Sequence, residues 1–524
     1  MPGHRAHERG VRARYDAAVS AERVDLSAFI KAYDVRGVVP DELDAHVTRA
    51  IGAAFADVVV IPETPAGSRP TVVIGNDMRP SGPELVAGFA DGLTARGVDV
   101  VTIGLASTDG LYFASGRLDV PGAMFTASHN PAQYNGIKLC RAGARPVGQD
   151  SGLAAVRDLA GDYLGGEVPQ VADDERGSVT SRDMLTEYAQ FLRSLVDLSG
   201  IRPLKVVVDA GNGMGGFTAP AVLGTAAGLP ELPLEVVPLY FELDGTFPNH
   251  EANPLEPANL VDLQRAVVEH GADIGLAFDG DADRCFVVDE NGDPVSPSAI
   301  TALVGLREVA REQAAGRTPT VIHNLISSRV VPDLLQAAGA TTVRTRVGHS
   351  FIKAQMAEHE AVFGGEHSAH YYFRDFFFAD TGMLAALHVL AALGSQPHPL
   401  SALSDAYQPY VASGEINSRV TSVPEARGRV VEAYVTQQGA GPVEVDELDG
   451  LTVSHWDGHP QWWFNLRASN TEPLLRLNVE AADEDIMIKV RDDVLSLVRQ
   501  GEPAYAQEPA QGSDETSDEK GATA

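Results

Sequence analysis

Three blocks of the chain repeat one scheme, in which an apolar strand leads into a polar loop containing glycine. In the first, the β-branched run at residues 71–75 opens into Asn76, Asp77, Met78 and Arg79, with a helical stretch over 82–96 and another apolar run over 98–103. In the second, residues 205–210 run into the glycine-rich segment 211–216. The third has strands over 321–324, 342–345 and 361–363, with helices over 330–338 and from Gly348 through Met356 between them. Strands alternating with helices predict α/β units. The blocks are unevenly spaced, which excludes a short-period solenoid and points to diverged repeated domains. A chain of 524 residues is also too long for one ordinary core and implies three or four domains. From about residue 412 the pattern changes. Strand candidates at 416–421, 443–445, 451–456, 462–466 and 474–480 accompany helices over 425–436 and 485–499, an α+β unit with Trp456, Trp462 and Trp463 in its core or rim. Residues 150–180, rich in Gly and Asp, read as a connection between domains, and the polar segments 1–23 and 501–524 read as disordered.

Charge narrows the possible partners. At a formal net charge of −32 and an isoelectric point near 4.7, the molecule as a whole is repelled by nucleic acid and by anionic membranes, so a phosphorylated ligand needs a local basic pocket. Cys140 and Cys285 are the only cysteines, which excludes a disulfide framework and a Cys-rich zinc site and leaves buried thiols as the expectation. The first 14 residues are polar and basic with no apolar segment after them, unlike a signal peptide. No apolar run approaches the ~20 residues that span a bilayer. These readings predict a cytoplasmic protein without a membrane or nucleic-acid partner.

The chemistry-bearing residues fall on loops. Ser128, in TASHNP at 126–131, follows the apolar run 122–125 and so lies at the end of a predicted strand, where open α/β sheets gather ligands. The loop carries no local general base of the hydrolase type. A hydroxyl that is to take a phosphoryl group needs a divalent cation to offset charge on the transferred oxygens, and Asp279, Asp281 and Asp283 in DGDADR at 279–284 can supply one. Each half has a plainer reading. Ser, Asn and Asn-Pro favour ordinary turns. The carboxylates, with Glu290, match the first, third, fifth and twelfth positions of a calcium loop. Arg284 stands where that loop needs Gly, and strand-like flanks argue against helix-loop-helix geometry. FIKAYDVRG at 29–37 is dense in anion-binding groups or is a solvated loop, and NGIK at 135–138 supplies a turn and a cation. The glycines at 211, 213 and 216 match a dinucleotide fingerprint, but Glu235 opens the following strand rather than closing it, which favours a tight turn with no cofactor. In GGEHSAH at 364–370, paired glycines admit a ligand to the backbone, beside groups for sugar hydroxyls or proton transfer; a zinc pair of His367 and His370 is the weaker alternative. RASNTEP at 467–473 joins one cation to hydroxyl and amide groups, a combination suited to phosphate.

These four loops in this order, together with FIKAYDVRG, resemble the α-D-phosphohexomutase superfamily, and within it the bacterial phosphomannomutase/phosphoglucomutase group, from about residue 29 to about 495. The resemblance implies three related α/β domains with mixed sheets and a smaller C-terminal α+β domain around a central cleft. Their expected bounds are 24–180, 181–297, 298–405 and 406–500. It implies that Ser128 is a phosphoserine and that one Mg²⁺ sits between it and Asp279, Asp281 and Asp283. Arg36, Lys138 and Arg284 would lie around the transferred phosphoryl group, with Tyr33 and His349 among the substrate contacts. Glu366 and Ser368 would hold sugar hydroxyls, while Arg467, Ser469, Asn470 and Thr471 clamp the non-reacting phosphate. His370, Lys138 and His349 are the candidates for proton transfer. The implied reaction interconverts hexose 6-phosphate and hexose 1-phosphate through a hexose 1,6-bisphosphate, with mannose first, glucose or dual specificity second, and glucosamine third. A phosphoserine-dependent phosphatase and a non-enzymatic sugar-phosphate binder are the alternatives of other classes. Hexose phosphates are the expected partners, and the expected state is a monomer or small homo-oligomer. Two positions depart from the family: Ala369 stands where Gly is frequent, and residues 324–328 lack a lysine that related enzymes often carry, so no lysine role is assigned there.

Overall fold

The computed structural model describes residues 23–31, 33–437, 442–468 and 474–501, without the side chain of His349. The polar segments expected to be disordered fall, apart from Arg23 and Gly501, outside these residues.

The first sheet runs in the order Val35–Val38, Tyr134–Arg141, Gly122–Phe125, Thr71–Asn76, Asp99–Leu105, Val179–Ser181. The central strands Gly122–Phe125, Thr71–Asn76 and Asp99–Leu105 are parallel, and Tyr134–Arg141 returns antiparallel beside Gly122–Phe125. The second sheet repeats this plan. Leu234–Leu239, Leu204–Asp209 and Ile274–Phe278 are parallel, and Cys285–Val288 turns back against Ile274–Phe278. So does the third, with Thr341–Thr345, Thr320–Asn324 and Phe363–Gly365 parallel and Tyr371–Phe373 antiparallel to the last. The diverged repeats expected from the sequence are therefore three copies of one mixed sheet. In each copy the same hairpin, from the third parallel strand to its antiparallel neighbour, carries a singled-out loop: 126–131, 279–284 or 364–370. The fourth sheet is wholly antiparallel, in the order Val411–Arg419, Leu474–Ala481, Trp462–Ala468, Leu451–Ser454, Glu444–Asp446, and the helices Val423–Val431 and Glu484–Val498 belong to the same unit.

The second and third domains share a continuous apolar core, to which the helix Gly382–Gly394 contributes with every residue buried. The fourth domain keeps its own core, built on Phe464, Leu466, Leu477 and Val494. Trp456, Trp462, Trp463, Cys140 and Cys285 are all buried, as expected.

Two readings need correction. Residues 150–180 are more than a connection: Leu153, Val156, Leu159 and Ala160 face inward on the helix Leu153–Gly165, and Val179–Ser181 extends the first sheet parallel to Asp99–Leu105. The Gly and Asp content masked a short amphipathic stripe. An apolar run near bilayer length also exists, because a helix continues through Ala45–Glu63 with a mean hydropathy of 1.3. Its residues Ile51, Ala54 and Phe55 are buried in the core of the first domain, which accounts for the apolar composition.

Candidate active site

The strand Gly122–Phe125 is buried along its whole length and delivers Ser128 to the mouth of the first sheet. There Ser128 adopts φ 50°, a left-handed conformation that costs a non-glycine residue about 1–3 kcal/mol and persists only where its surroundings enforce it. The enforcement comes from two sides. Ser128 N donates to Thr126 Oγ1 at 2.8 Å. The buried Arg79 guanidinium donates to four loop carbonyls, those of Ser128 (2.9 Å), Asn130 (2.6 Å), Pro131 (2.9 Å) and Tyr134 (2.8 Å), while its Nε faces Asp77 at 3.3 Å. Sequence reasoning gave Arg79 no role. The only local signal was an acid and a base two residues apart after a strand.

The acidic loop meets the serine because Gly280 permits it. A Cβ on Gly280 would lie 2.4 Å from Ser128 O, and one on Gly213 would lie 2.7 Å from Gly280 O, so the glycine turn at 211–216 packs its backbone behind the loop. Met214 N also donates to Gly280 O at 2.8 Å. The turn thus supports the acidic loop through close backbone packing.

Ser128 Oγ donates to Asp279 Oδ2 at 2.8 Å. Asp279, Asp281 and Asp283 are buried, and their oxygens converge within 4.8 Å. Lys138 Nζ donates to Asp281 Oδ2 (2.8 Å) and Asp283 Oδ2 (2.6 Å), Arg284 Nε to Asp279 Oδ2 (2.9 Å) and Thr108 Oγ1 to Asp281 Oδ2 (2.6 Å). Asp281 Oδ1 and Asp283 Oδ1 remain buried without a hydrogen-bond donor. Burial pushes Asp279 up to about 7 against the pull of Arg284. Burial acts on Asp281 in the same direction, but Lys138 overrides it and holds that carboxyl well below the usual range. Burial likewise opposes the charge on Lys138, yet Asp281 and Asp283 keep its pKa well above that of an ordinary lysine. Three buried carboxylates with two orphan oxygens and a hydroxyl alongside form a hard oxygen set that fits a divalent cation.

The serine is less isolated from imidazole than its sequence suggests. His129 Nδ1 lies 3.1 Å from Ser128 Oγ, and burial, with Arg284 and Arg36 nearby, holds the ring well below its usual pKa and therefore neutral. A neighbour in sequence points this way only because the left-handed turn at Ser128 redirects the chain. Arg36 Nη1 donates to Asn130 Oδ1 at 2.6 Å and Nη2 to Asp34 Oδ2 at 2.7 Å, so this cation also stands at the serine loop.

From the third sheet, Glu366 is buried and accepts from Tyr372 OH (2.7 Å), Asn324 Nδ2 (3.3 Å) and Gly348 N (3.2 Å). Ser368 Oγ lies 2.9 Å from His370 Nδ1, and His370 Nε2 stands 3.6 Å from Asp283 Oδ1. An isolated backbone bridge pairs Arg284 with His370, so the loop at 364–370 and the acidic loop are joined edge to edge. Ala369 adopts φ 65° in this loop, a conformation that glycine would take without strain. Tyr33 packs near Gly348, whose N–H donates to Glu366. His349 opens the helix His349–Glu358. Arg467 is on the strand Trp462–Ala468, with Nη2 3.0 Å from Glu415 Oε2. Ser469, Asn470 and Thr471 lie outside the described residues.

Four segments match the domains of one family: phosphoglucomutase/phosphomannomutase alpha/beta/alpha domain I at residues 28–160, domain II at 186–292, domain III at 296–410 and the C-terminal domain at 415–497. The chain belongs to the phosphoglucomutase/phosphomannomutase family, whose fold it shares. Among curated relatives, a protein named phosphohexose mutases from Xanthomonas campestris pv. campestris is 40% identical, the match covering 91% of this chain and 100% of that protein. A phosphomannomutase from Salmonella montevideo is also 40% identical, over 90% of this chain and 99% of its own length. A solved phosphoglucomutase/phosphomannomutase family protein from Burkholderia thailandensis superposes with a TM-score of 0.78 at 30% identity, covering 92% of this chain and 99% of that one.

Proposed function

We propose that this chain is a phosphohexomutase that interconverts mannose 6-phosphate and mannose 1-phosphate, with the corresponding glucose phosphates as second substrates. The observation that carries the reading is the pairing of Ser128 Oγ with Asp279 at 2.8 Å beside two orphan carboxylate oxygens, with the sugar loop joined to the same acidic loop. The names of the relatives in Xanthomonas and Salmonella support the substrate class.

In this reading Ser128 is phosphorylated in the resting enzyme. Asp279, Asp281 and Asp283 would hold one Mg²⁺, which would supply positive charge to offset that on the transferred oxygens. Lys138 is held protonated by two carboxylates, which suits a fixed cation rather than a proton acceptor; with Arg284 and Arg36 it stabilises the phosphoryl group in transit. Glu366 and Ser368 orient the sugar hydroxyls. His370 is placed between Glu366 and Asp283 to take the proton of the attacking hydroxyl. Transfer from Ser128 to the sugar yields a hexose 1,6-bisphosphate, which turns over and returns its other phosphate to Ser128. Arg467, with the loop at 469–471, grips whichever phosphate is not reacting.

The test is a coupled assay of the purified protein with Mg²⁺ and a trace of hexose 1,6-bisphosphate, offering mannose 1-phosphate and glucose 1-phosphate separately. Formation of 6-phosphate with a mannose preference is the expected outcome. Comparable rates would make it a dual-specificity mutase, and free phosphate without isomerisation would replace this reading with a phosphatase.

A further inference from the structure

The strands Thr320–Asn324 and Phe363–Gly365 run parallel with His323 opposite Gly365, so Asn324 and Glu366 leave the third sheet side by side at its carboxyl edge. Both side chains are buried. Asn324 Nδ2 donates to Glu366 Oε1 at 3.3 Å, and Ser327 Oγ donates to Asn324 Oδ1 at 2.9 Å, which holds the amide with its NH₂ toward the carboxylate. Gly348 N donates to the same Oε1 at 3.2 Å, and Tyr372 OH donates to Oε2 at 2.7 Å. The segment 324–328 carries no lysine, and among the described residues His370 is the one basic group within ion-pair distance of Glu366, its Nδ1 lying 3.7 Å from Oε2. A carboxylate offers about four lone-pair sites, two on each oxygen. Two donors fill Oε1 and one occupies Oε2, so a single site stays open. It belongs to the oxygen beside His370, whose Nδ1 is 2.9 Å from Ser368 Oγ.

We propose that Asn324 is a positioning residue for sugar recognition: anchored by Ser327, it saturates Oε1 together with Gly348 N and leaves Oε2 as the one atom of Glu366 that accepts a sugar hydroxyl. The inference rests on the mutase reading above, in which Glu366 orients the sugar, and deepens it by giving the carboxylate a single contact. A carboxylate open at both oxygens can bridge two neighbouring hydroxyls, whereas one open site reads one. A single fixed acceptor also suits a sugar that binds in two orientations, because only one hydroxyl has to reach the same point in both.

The experiment compares wild type with Asn324→Ala, Asn324→Asp, Ser327→Ala and Glu366→Gln in the isomerisation assay, using mannose 1-phosphate and each of its monodeoxy analogues, with thermal midpoints to confirm folding. Asn324→Ala is expected to raise KM for the parent sugar about tenfold, the scale of one lost hydrogen bond to a charged group, with kcat and inhibition by inorganic phosphate much less affected. That penalty should vanish for one analogue only, the one without the hydroxyl that Oε2 reads, because substitution and deoxygenation then remove the same interaction. Ser327→Ala keeps the amide but frees it, so a smaller rise with the same analogue pattern is expected, and this variant carries the test if Asn324→Ala does not fold. Asn324→Asp sets a second buried carboxylate against Glu366 and should raise KM further. Unchanged KM in Asn324→Ala would overturn the proposal. So would an equal penalty for every analogue, which would make Asn324 a support of the fold alone, or a penalty that vanishes for two analogues, which would mean that both oxygens of Glu366 hold the sugar. If Glu366→Gln leaves KM unchanged for every sugar, or the wild type does not isomerise them, the reading beneath the proposal fails instead.

Discussion

Arg79 shows how much of the Ser128 loop is decided by one side chain. Its guanidinium meets four carbonyls on the Ser128 loop, and truncation would strip those carbonyls of a buried donor and leave buried Asp77 without its cation. Arg79→Ala is therefore expected to cost about 3–5 kcal/mol of stability, the range for breaking a buried ion pair. Loss of the left-handed turn would lower kcat by about 10²-fold, as a displacement near 1 Å does at a reacting atom. Thermal midpoints and steady-state rates measure the two effects, and a variant with wild-type kcat would show that the serine holds its place unaided. Ser128→Ala makes the contrasting case, with turnover lowered by more than about 10³-fold and folding intact. Retained activity in that variant would sink the assignment of the nucleophile. Ser128 and the three aspartates were legible in the sequence because their chemistry is written in short local strings. Arg79 was not, because its partners lie about 50 residues along the chain, and His129 was misjudged because the turn that aims it at Ser128 is a backbone property.

At the scale of elements, sequence period revealed the strands and the amphipathic helices and failed where burial is complete or the stripe is short. The helix Gly382–Gly394 is buried on all sides, so no polar face marks its period, and it begins where three domains meet. Its N-cap, Thr381, donates to Asp109 Oδ2 at 2.6 Å, and Tyr188 OH donates to the same oxygen at 2.7 Å. Ser107 Oγ donates to Asp109 Oδ1. Burial raises Asp109 to about 6 in spite of these donors. The folded state thus holds the proton more tightly than the unfolded chain. The stabilisation is complete below the ordinary carboxylate range and is lost as pH rises through about 6. Between pH 5 and 7.5 this group alone should cost the wild type about 1.4 kcal/mol, a loss that Asp109→Asn avoids. Equal pH dependence in the two proteins, by urea denaturation, would contradict the assignment.

For the whole molecule, the four-domain layout was legible because its loops fall one to a domain, but the coupling between domains was not. The fourth domain has a core of its own and meets the third at a narrow seam, where buried Glu480 accepts from Arg329 N at 2.8 Å and from Trp463 Nε1 at 2.7 Å. A second bond runs from Val347 N to Asp449 Oδ2 at 3.3 Å. Glu480→Ala would leave two N–H donors unpaired at the seam, at a cost of about 1–3 kcal/mol. Looser closure should admit water to Ser128, so on the proposed mechanism the ratio of free phosphate to isomerised sugar is expected to rise. An unchanged ratio would mean that this seam does not control access to the cleft.

The shared hairpin position has a consequence for how such a molecule can diverge. The loops at 126–131, 279–284 and 364–370 are carried by three copies of one structural slot, each rooted in its own sheet. Inheritance can therefore rewrite the loop at 364–370 while the loops at 126–131 and 279–284 stay unchanged. Three units of one plan thus act as separable parts, in which one loop can change without disturbing the sheets that hold the other two.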